Sequence, residues 1–403
     1  MEIEWLVSEI GQSVISRAEN FTDPLEANSK LRKEFPKGSS TQIAQAITQS
    51  VLRTKLGARW NIDTSNFLLT EDGINQATRP TVAKWRAAWI IENFGQSTKV
   101  LDLTCGLGFD ALAMAEAGLS VHAIERDSLT ADLARHNLRQ STVTVETADS
   151  TTADISGFDL VFVDPMRRDP ESARKIDGST QRIFSPENWS PSWDFINSIA
   201  EHKQVLCKVA PGIDDKYITS WDTIWISDQG DLVEAMTRSN GSGLRTAVLL
   251  QDGATATFAD SGVADLKSDG GYLLVPNSAI TRAGAIAAIS NAVSGGLVNQ
   301  HIGWITSDES NLIEKICKDL PRCADVYQIL DRTKAESKSI ATAIRELPAS
   351  AITITTRGMQ IDVEKMRKQI SPKLQRTSPE LVVALYRDDS GNKALICRRL
   401  TGK

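Results

Sequence analysis

Carboxylates stand at or just past the ends of four predicted strands: Asp102, Glu125, Asp149 and Asp164. Acids placed this way can accept hydrogen bonds from hydroxyl and amino groups and can balance a positive charge. The first of them heads the run Asp102-Leu-Thr104-Cys105-Gly106-Leu-Gly108-Phe109-Asp110. Gly106 and Gly108 permit turns that a side chain would forbid and let the backbone approach a ligand closely. The helix expected from Asp110 to about Ala117 aims its positive end at the same place. Gly118 stands at its expected stop. A strand, a glycine turn and a helix in this order predict a site for a nucleotide-like cofactor.

Two cofactor classes use such a turn. Gly106-x-Gly108-x-x-Ala111 meets a relaxed dinucleotide fingerprint. Asp102, however, would repel a pyrophosphate, whereas it suits the cationic amino end of S-adenosylmethionine. Glu125 can accept ribose hydroxyls, a role common to both classes. Asp149 could accept from an adenine amino group. The fourth strand runs into Asp164-Pro165-Met166-Arg167-Arg168-Asp169-Pro170, an acid-proline step at the position of methyl transfer. Pro165 stiffens that turn and sets Asp164 beside the methyl group. The expected cofactor set is therefore Asp102, Thr104, Cys105, Gly106, Gly108, Phe109, Asp110, Glu125, Arg126, Asp149 and Asp164.

The expected catalytic set is Asp164, Pro165, Arg167 and Arg168. Asp164 would orient or deprotonate the nucleophile. Arg167 and Arg168 would hold a substrate phosphate, since guanidinium matches its geometry, unless they pair with Asp169 or Glu171. Lys208 and Pro211 flank the end of the fifth strand and could border a substrate cleft. Trp189 and Trp193 could stack a base or pack at the sheet edge. Cys105 lies within the turn and Cys207 within an apolar strand, so both read as structural. The five cysteines form no C-x-x-C pair and the four histidines are scattered, so no metal site is expected.

These residues need elements to hold them. The first 95 residues read as helical, with helices over Glu2–Ala18, Gln42–Leu56 (Ile43, Ala46, Ile47, Val51 and Leu52 on one face) and Thr81–Phe94. Strand-like runs follow at Val100–Leu103, Val121–Ile124, Val143–Val145, Leu160–Val163, Val205–Val209, Thr223–Ile226 and Thr246–Leu250. Alternation with helices implies a parallel sheet whose ligands bind outside the carboxyl ends of its strands. After Asp252 the pattern changes. Strands are expected at Thr255–Phe258, Tyr272–Val275, Ala324–Leu330, Ala351–Thr355 and Ala394–Arg398, with helices over Ala279–Ala292 and Val363–Gln369. The expected division is a helical region at 1–95, a Rossmann-like α/β domain at 96–252 and a small α+β domain at 253–403.

Composition is that of an ordinary globular protein. No apolar run approaches a membrane span, and Met-Glu-Ile-Glu-Trp lacks a basic secretory start, so the cytoplasm is the expected compartment. The net charge of −6 is uneven. Residues 331–403 hold 15 Lys/Arg against 8 Asp/Glu, a balance of +7, which leaves −13 for the remainder. That asymmetry fits either a tail that meets phosphate or a solvated, salt-bridged surface. Two basic groups offer phosphate contacts: Lys30, Arg32, Lys33, Lys37, Arg53, Lys55 and Arg59 in the leader, and Arg357, Lys365, Arg367, Lys368, Lys373 and Arg376 in the tail.

The segments Asp102–Asp110 and Asp164–Arg168 resemble bacterial class I methyltransferases that carry a THUMP-like C-terminal domain. The likeness extends to Gly230-Asp231-Leu-Val-Glu234, Pro276-Asn-Ser-Ala-Ile-Thr-Arg282-Ala-Gly284, Arg357-Gly358 and Cys397-Arg398-Arg399. It implies a class I fold, a ferredoxin-like or THUMP-like tail, bound S-adenosylmethionine and RNA as substrate, transfer or ribosomal. Two positions depart from the pattern. Thr104 replaces a frequent first glycine. Met166 stands where enzymes that methylate nucleic-acid amines have a second proline, which argues against exocyclic amines. The competing readings are a methyltransferase for a protein or small molecule, a non-catalytic RNA-binding protein and a nicotinamide oxidoreductase. No feature of the sequence bears on oligomeric state.

Overall fold

The computed structural model of the 403-residue chain describes residues 1–167, 183, 185–320, 322–370 and 378–400. Two compact units emerge from its contacts: residues 1–209 with 237–240, and residues 210–236 with 241–403.

The first unit opens with helices α1 (Ile3–Val7), α2 (Glu9–Ala18), α3 (Pro24–Glu34), α4 (Ser40–Trp60), α5 (Glu71–Gln76) and α6 (Pro80–Phe94). The single helix expected over Glu2–Ala18 is two. Ser8 turns extended and caps α2 by accepting from the Gly11 N–H at 3.1 Å. A side chain at Gly11 would strike the Trp5 carbonyl, so the glycine lets the two helices meet. Helix α4 starts at a capping box of Ser39 and Gln42. It buries Ile43, Ala46, Ile47, Leu52 and Leu56, whereas Val51, expected on that face, is exposed.

The same helix buries two polar residues that organise the chain ahead of the sheet. Gln49 forms a pair of 2.8 Å hydrogen bonds with the Leu69 backbone, and Arg53 donates to the Phe67 carbonyl at 2.8 Å. Burial of Arg53 removes it from the phosphate contacts expected of the leader. Lys30 pairs with Glu26, and Lys55 with Glu71.

Strands β1 (Lys99–Asp102), β2 (Ser120–Glu125), β3 (Thr144–Thr147), β4 (Leu160–Val163) and β5 (Gln204–Val209) follow, interleaved with α7 (Phe109–Glu116), α8 (Ser128–Asn137) and α9 (Trp193–Ala200). They lie in the order β3-β2-β1-β4-β5, each pair parallel. Chain order reverses between β1 and β4, and the crevice outside that switch point is where such sheets bind ligands. Apolar β4 is buried along its whole length, as a central parallel strand must be.

The second unit contains α10 (Asp215–Ile218), β6 (Asp222–Asp228), β7 (Asp231–Arg238, whose last two residues group with the first unit), β8 (Arg245–Gln251) and β9 (Ala254–Ala259). The sequence did not signal β7. It follows β6 across the two-residue turn Gln229-Gly230, both at positive φ. The turn Asp252-Gly253 likewise joins β8 to antiparallel β9, so position 252/253 falls inside a hairpin.

A separate mixed sheet comprises β10 (Tyr272–Pro276), β11 (Gly296–Asn299), β12 (Ile302–Ser307), β13 (Ala324–Lys334), β14 (Ile352–Arg357), β15 (Leu381–Asp388) and β16 (Gly391–Arg399). Its order is β11-β12-β10-β13-β16-β15-β14. The accompanying helices are α11 (Ser278–Ala283), α12 (Ile286–Ala292), α13 (Ser310–Asp319), α14 (Ser337–Ile344) and α15 (Val363–Gln369). The helix expected over Ala279–Ala292 breaks at Gly284, which takes the left-handed conformation. Buried Asn277 gives the Pro276-Asn-Ser segment a task in the fold. Its side chain caps α11 and donates to Ser227 Oγ and the Gly230 and Arg322 carbonyls. Its role is structural.

A candidate cofactor and methyl-transfer site

A cavity of about 550 Å³ opens at the carboxyl ends of β1, β2 and β4, wholly within the first unit. Asp102, Thr104, Cys105, Gly106, Phe109, Asp110, Glu125, Arg126 and Asp164 line it, so nine residues of the expected cofactor set come together. Each acid has a distinct surrounding.

Asp102 is 1% exposed. Its Oδ1 accepts from the Thr104 N–H at 3.1 Å, while its buried Oδ2 has no partner among the described residues. Burial drives its pKa well above the usual carboxylate range, and Asp110, Asp164 and Glu125 add to the rise. Glu125 braces the glycine turn: its carboxylate accepts from the Gly106 N–H at 3.1 Å and the Asp127 N–H at 2.9 Å. Each of those oxygens keeps a second lone pair for a ligand.

Asp164 is compensated. Its Oδ2 accepts from Lys208 Nζ at 2.7 Å, and Arg167 approaches Oδ1 to 3.7 Å. The Thr104 hydroxyl accepts from the Asp164 N–H at 2.7 Å, fastening the end of β4 to the glycine turn. That bond explains a threonine where a glycine is frequent.

Several expected site residues have other tasks. Asp110 lines the cavity, but its carboxylate is held by buried Arg86 and by Thr78 Oγ1 at 2.6 Å. Asp149 does not line the cavity. Its Oδ1 caps a short turn by accepting from the Thr151 N–H and hydroxyl, which holds its pKa below the usual range. Gly108 sits at φ 88° against Leu138 and serves the turn. Trp189 and Trp193 are 5% and 3% exposed and meet edge to face at 6.2 Å. They are packing residues, with the Trp189 indole donating to the Ile183 carbonyl. Lys208 is buried beside Asp164 and does not line the cavity. Pro165 is likewise outside the lining, and Arg167 sits 6.0 Å from the Trp189 ring. Arg168 lies outside the described residues, as do Lys373 and Arg376.

Cys105 lines the cavity, yet burial, then Asp102 and Glu125, push its thiol pKa well up. It stays protonated and is a poor nucleophile. Cys207, buried in β5, is raised in the same way. Among the described residues no cluster of His, Cys, Asp and Glu suits a metal ion, and no helix is long and apolar enough to cross a membrane.

Sequence reasoning missed one whole wall. Thr70, Asp72, Gly73, Gln76, Ala77 and Thr78 line the cavity from the segment around α5. Gln49 and Arg53 anchor the chain just before it, and Asn137 ties Leu68 to Leu107 through three hydrogen bonds of 2.8–3.1 Å. Gly73 packs directly on Leu107, where a Cβ would lie 2.3 Å from a methyl carbon. The local signal was the Thr70-Glu-Asp-Gly cap of α5, but nothing in it pointed to the sheet.

Comparison with known proteins finds methyltransferases among the similar chains. Residues 324–399 match the family described as THUMP domain-like. An uncharacterized S-adenosylmethionine-dependent methyltransferase of Mycobacterium tuberculosis is 24% identical over 354 residues, covering 84% of this chain and 90% of that one. A 23S rRNA (uracil(747)-C(5))-methyltransferase of Pyrococcus horikoshii is 26% identical over 170 residues, covering 41% of this chain and 38% of that one. Among solved structures, a protein of Porphyromonas gingivalis W83 assigned as a methyltransferase superposes with a TM-score of 0.69 at 18% identity, covering 98% of each chain. The α/β sheet is that of a class I methyltransferase.

Proposed function

We infer that this chain, an S-adenosylmethionine-dependent methyltransferase, methylates structured RNA, transfer or ribosomal, and works in the cytoplasm. The observation that carries the cofactor is the orphaned Oδ2 of Asp102. A buried carboxylate oxygen without a partner is costly, and a cationic, hydrogen-bond-donating ligand relieves that cost. S-adenosylmethionine offers an ammonium group to Asp102 and ribose hydroxyls to Glu125. When bound, it supplies an electrophilic methyl group on a sulfonium sulfur.

The chain's own residues then have two duties. The first is orientation, since most of the gain in such a transfer comes from in-line placement. The second is a place for the proton that the nucleophile loses. With Asp164 Oδ2 engaged by Lys208, Oδ1 is the atom that orients the nucleophile and accepts that proton. Arg167, a quarter exposed, is positioned to meet a substrate phosphate.

Support for RNA comes from the THUMP-like segment, the +7 balance of residues 331–403 and the rRNA-modifying relative. Within that tail, Arg357 is exposed and Arg367 pairs with Glu364. We keep the division at 1–95, 96–252 and 253–403 as a proposal for how helical region, catalytic domain and RNA-contacting tail share the work. The test is a mass-spectrometric comparison of nucleosides in RNA from cells with and without the protein. One methylated nucleoside should vanish on deletion and return with the wild type but not with Asp164→Asn. An unchanged nucleoside profile, with labelled methyl groups passing instead to protein or a small molecule, would overturn the RNA reading.

A further inference from the structure

The reading above leaves a buried cation to be explained. Lys208 on β5 is 5% exposed. Its Nζ donates to Asp164 Oδ2 at 2.7 Å and to Thr78 Oγ1 at 2.8 Å. Thr78 Oγ1 donates in turn to Asp110 Oδ2 at 2.6 Å, and Arg86 holds the other oxygen of Asp110. A polar chain thus runs from Arg86 on α6 through Asp110, Thr78 and Lys208 to Asp164 at the cavity. A lysine so enclosed is a poor phosphate contact for a macromolecular substrate. Its charge instead acts on Asp164, with which it forms a compensated pair in a setting where water screens little.

That pair matters because of what the reaction does to charge. Loss of the methyl group turns a sulfonium into a neutral thioether, so cofactor and product differ by one positive charge inside the same cavity. Asp72, Asp102, Asp110, Glu125, Asp127 and Asp164 line that cavity alongside Arg126, Asp110 being held by Arg86. An uncompensated Asp164 would add to the attraction for the cation. A compensated one leaves the preference to the other acids.

We propose that Lys208 is a positioning residue that cancels the charge of Asp164 and thereby sets how strongly the site prefers S-adenosylmethionine over S-adenosylhomocysteine. The proposal rests on the cofactor reading above. Lys208 fixes Asp164 through Oδ2, Thr78 fixes Lys208, and the preference for the sulfonium is left to Asp102 and Glu125.

Calorimetric titration with both ligands tests this without any substrate, folding being checked by circular dichroism. The quantity read is the ratio of Kd for S-adenosylhomocysteine to Kd for S-adenosylmethionine. Lys208→Met removes the nearer cation and leaves Asp164 only Arg167 at 3.7 Å, so the ratio should rise roughly fivefold, as one added charge in a partly buried site predicts. Lys208→Arg should restore it to within about twofold. Asp164→Asn removes the negative member of the pair, so the ratio should fall. This nearly isosteric change decides the matter by its sign if Lys208→Met does not fold. An unmoved ratio in either folded variant, or shifts of the same sign in both, overturns the proposal while leaving the cofactor reading intact. Wild-type protein that takes up neither ligand overturns both.

Discussion

Asp102 and Asp164 end adjacent parallel strands and line one cavity, yet their surroundings are opposite. Asp102 is enclosed, with one oxygen unpartnered among the described residues and other acids nearby. Asp164 is partly exposed and paired with Lys208 and Arg167. The contrast teaches that a strand-end acid is assigned its work by its counter-charge, not by its type or place in the topology. In the roles proposed for them, the uncompensated acid is the one a cationic ligand would complete, and the compensated acid is the one that would orient a nucleophile.

The contrast breaks most visibly in turnover. Asp164→Asn should lower the rate about 10²- to 10⁴-fold, the usual loss when an acid–base group is removed. Affinity for S-adenosylmethionine should change far less, and single-turnover assays beside calorimetry separate the two. Asp102→Asn should do the reverse. Losing a charge-assisted hydrogen bond predicts roughly ten- to a hundredfold weaker cofactor binding, with turnover at saturating cofactor much less affected. If both variants lose binding and rate alike, the two acids do not have separate roles.

Stability against pH sharpens the same point. A raised pKa means that the folded chain holds the Asp102 proton after the unfolded chain has released it. Its contribution to stability is therefore present below about pH 4 and falls as pH rises from there through the folded value. Asp102→Asn should remove this dependence and raise the melting temperature of the ligand-free protein at pH 8 by about 2–4 °C. Scanning fluorimetry at pH 5 and pH 8 checks it, and a variant as pH-sensitive as the wild type would contradict the burial argument. The smallest effect belongs to Asp149, a third strand-end acid whose carboxylate only caps a turn. Asp149→Ala should leave cofactor affinity within about twofold in the same calorimetric assay.

What the sequence disclosed follows the range of the forces involved. Asp102, Glu125 and Asp164 were legible because strand period, glycine turn and acid-proline step are local and fix where those acids must emerge. Asp110 carried the same local signal, but Arg86, 24 residues upstream, claims its carboxylate. Thr78 and Gly73 were invisible for the same reason: their importance lies in bonds and packing to Asp110, Lys208 and Leu107, which no nearby pattern announces. Trp189 and Trp193 looked available for stacking until burial against each other was known. Strand β7 escaped notice since charged Asp231 and Glu234 blur its alternation, and α3 because it buries only Ala27 and Leu31.

Trimming the chain to begin at β1 would keep every glycine of the turn and every strand-end carboxylate. It would also strip away Thr70 to Thr78, leaving the ligand crevice open to solvent on that flank and Asp110 and Lys208 short of a shared neighbour. The catalytic sheet is therefore not a portable module. Any chimera or minimal enzyme built from it must bring along the helices that precede it, or it will carry the signature of a cofactor site without the enclosure that makes one.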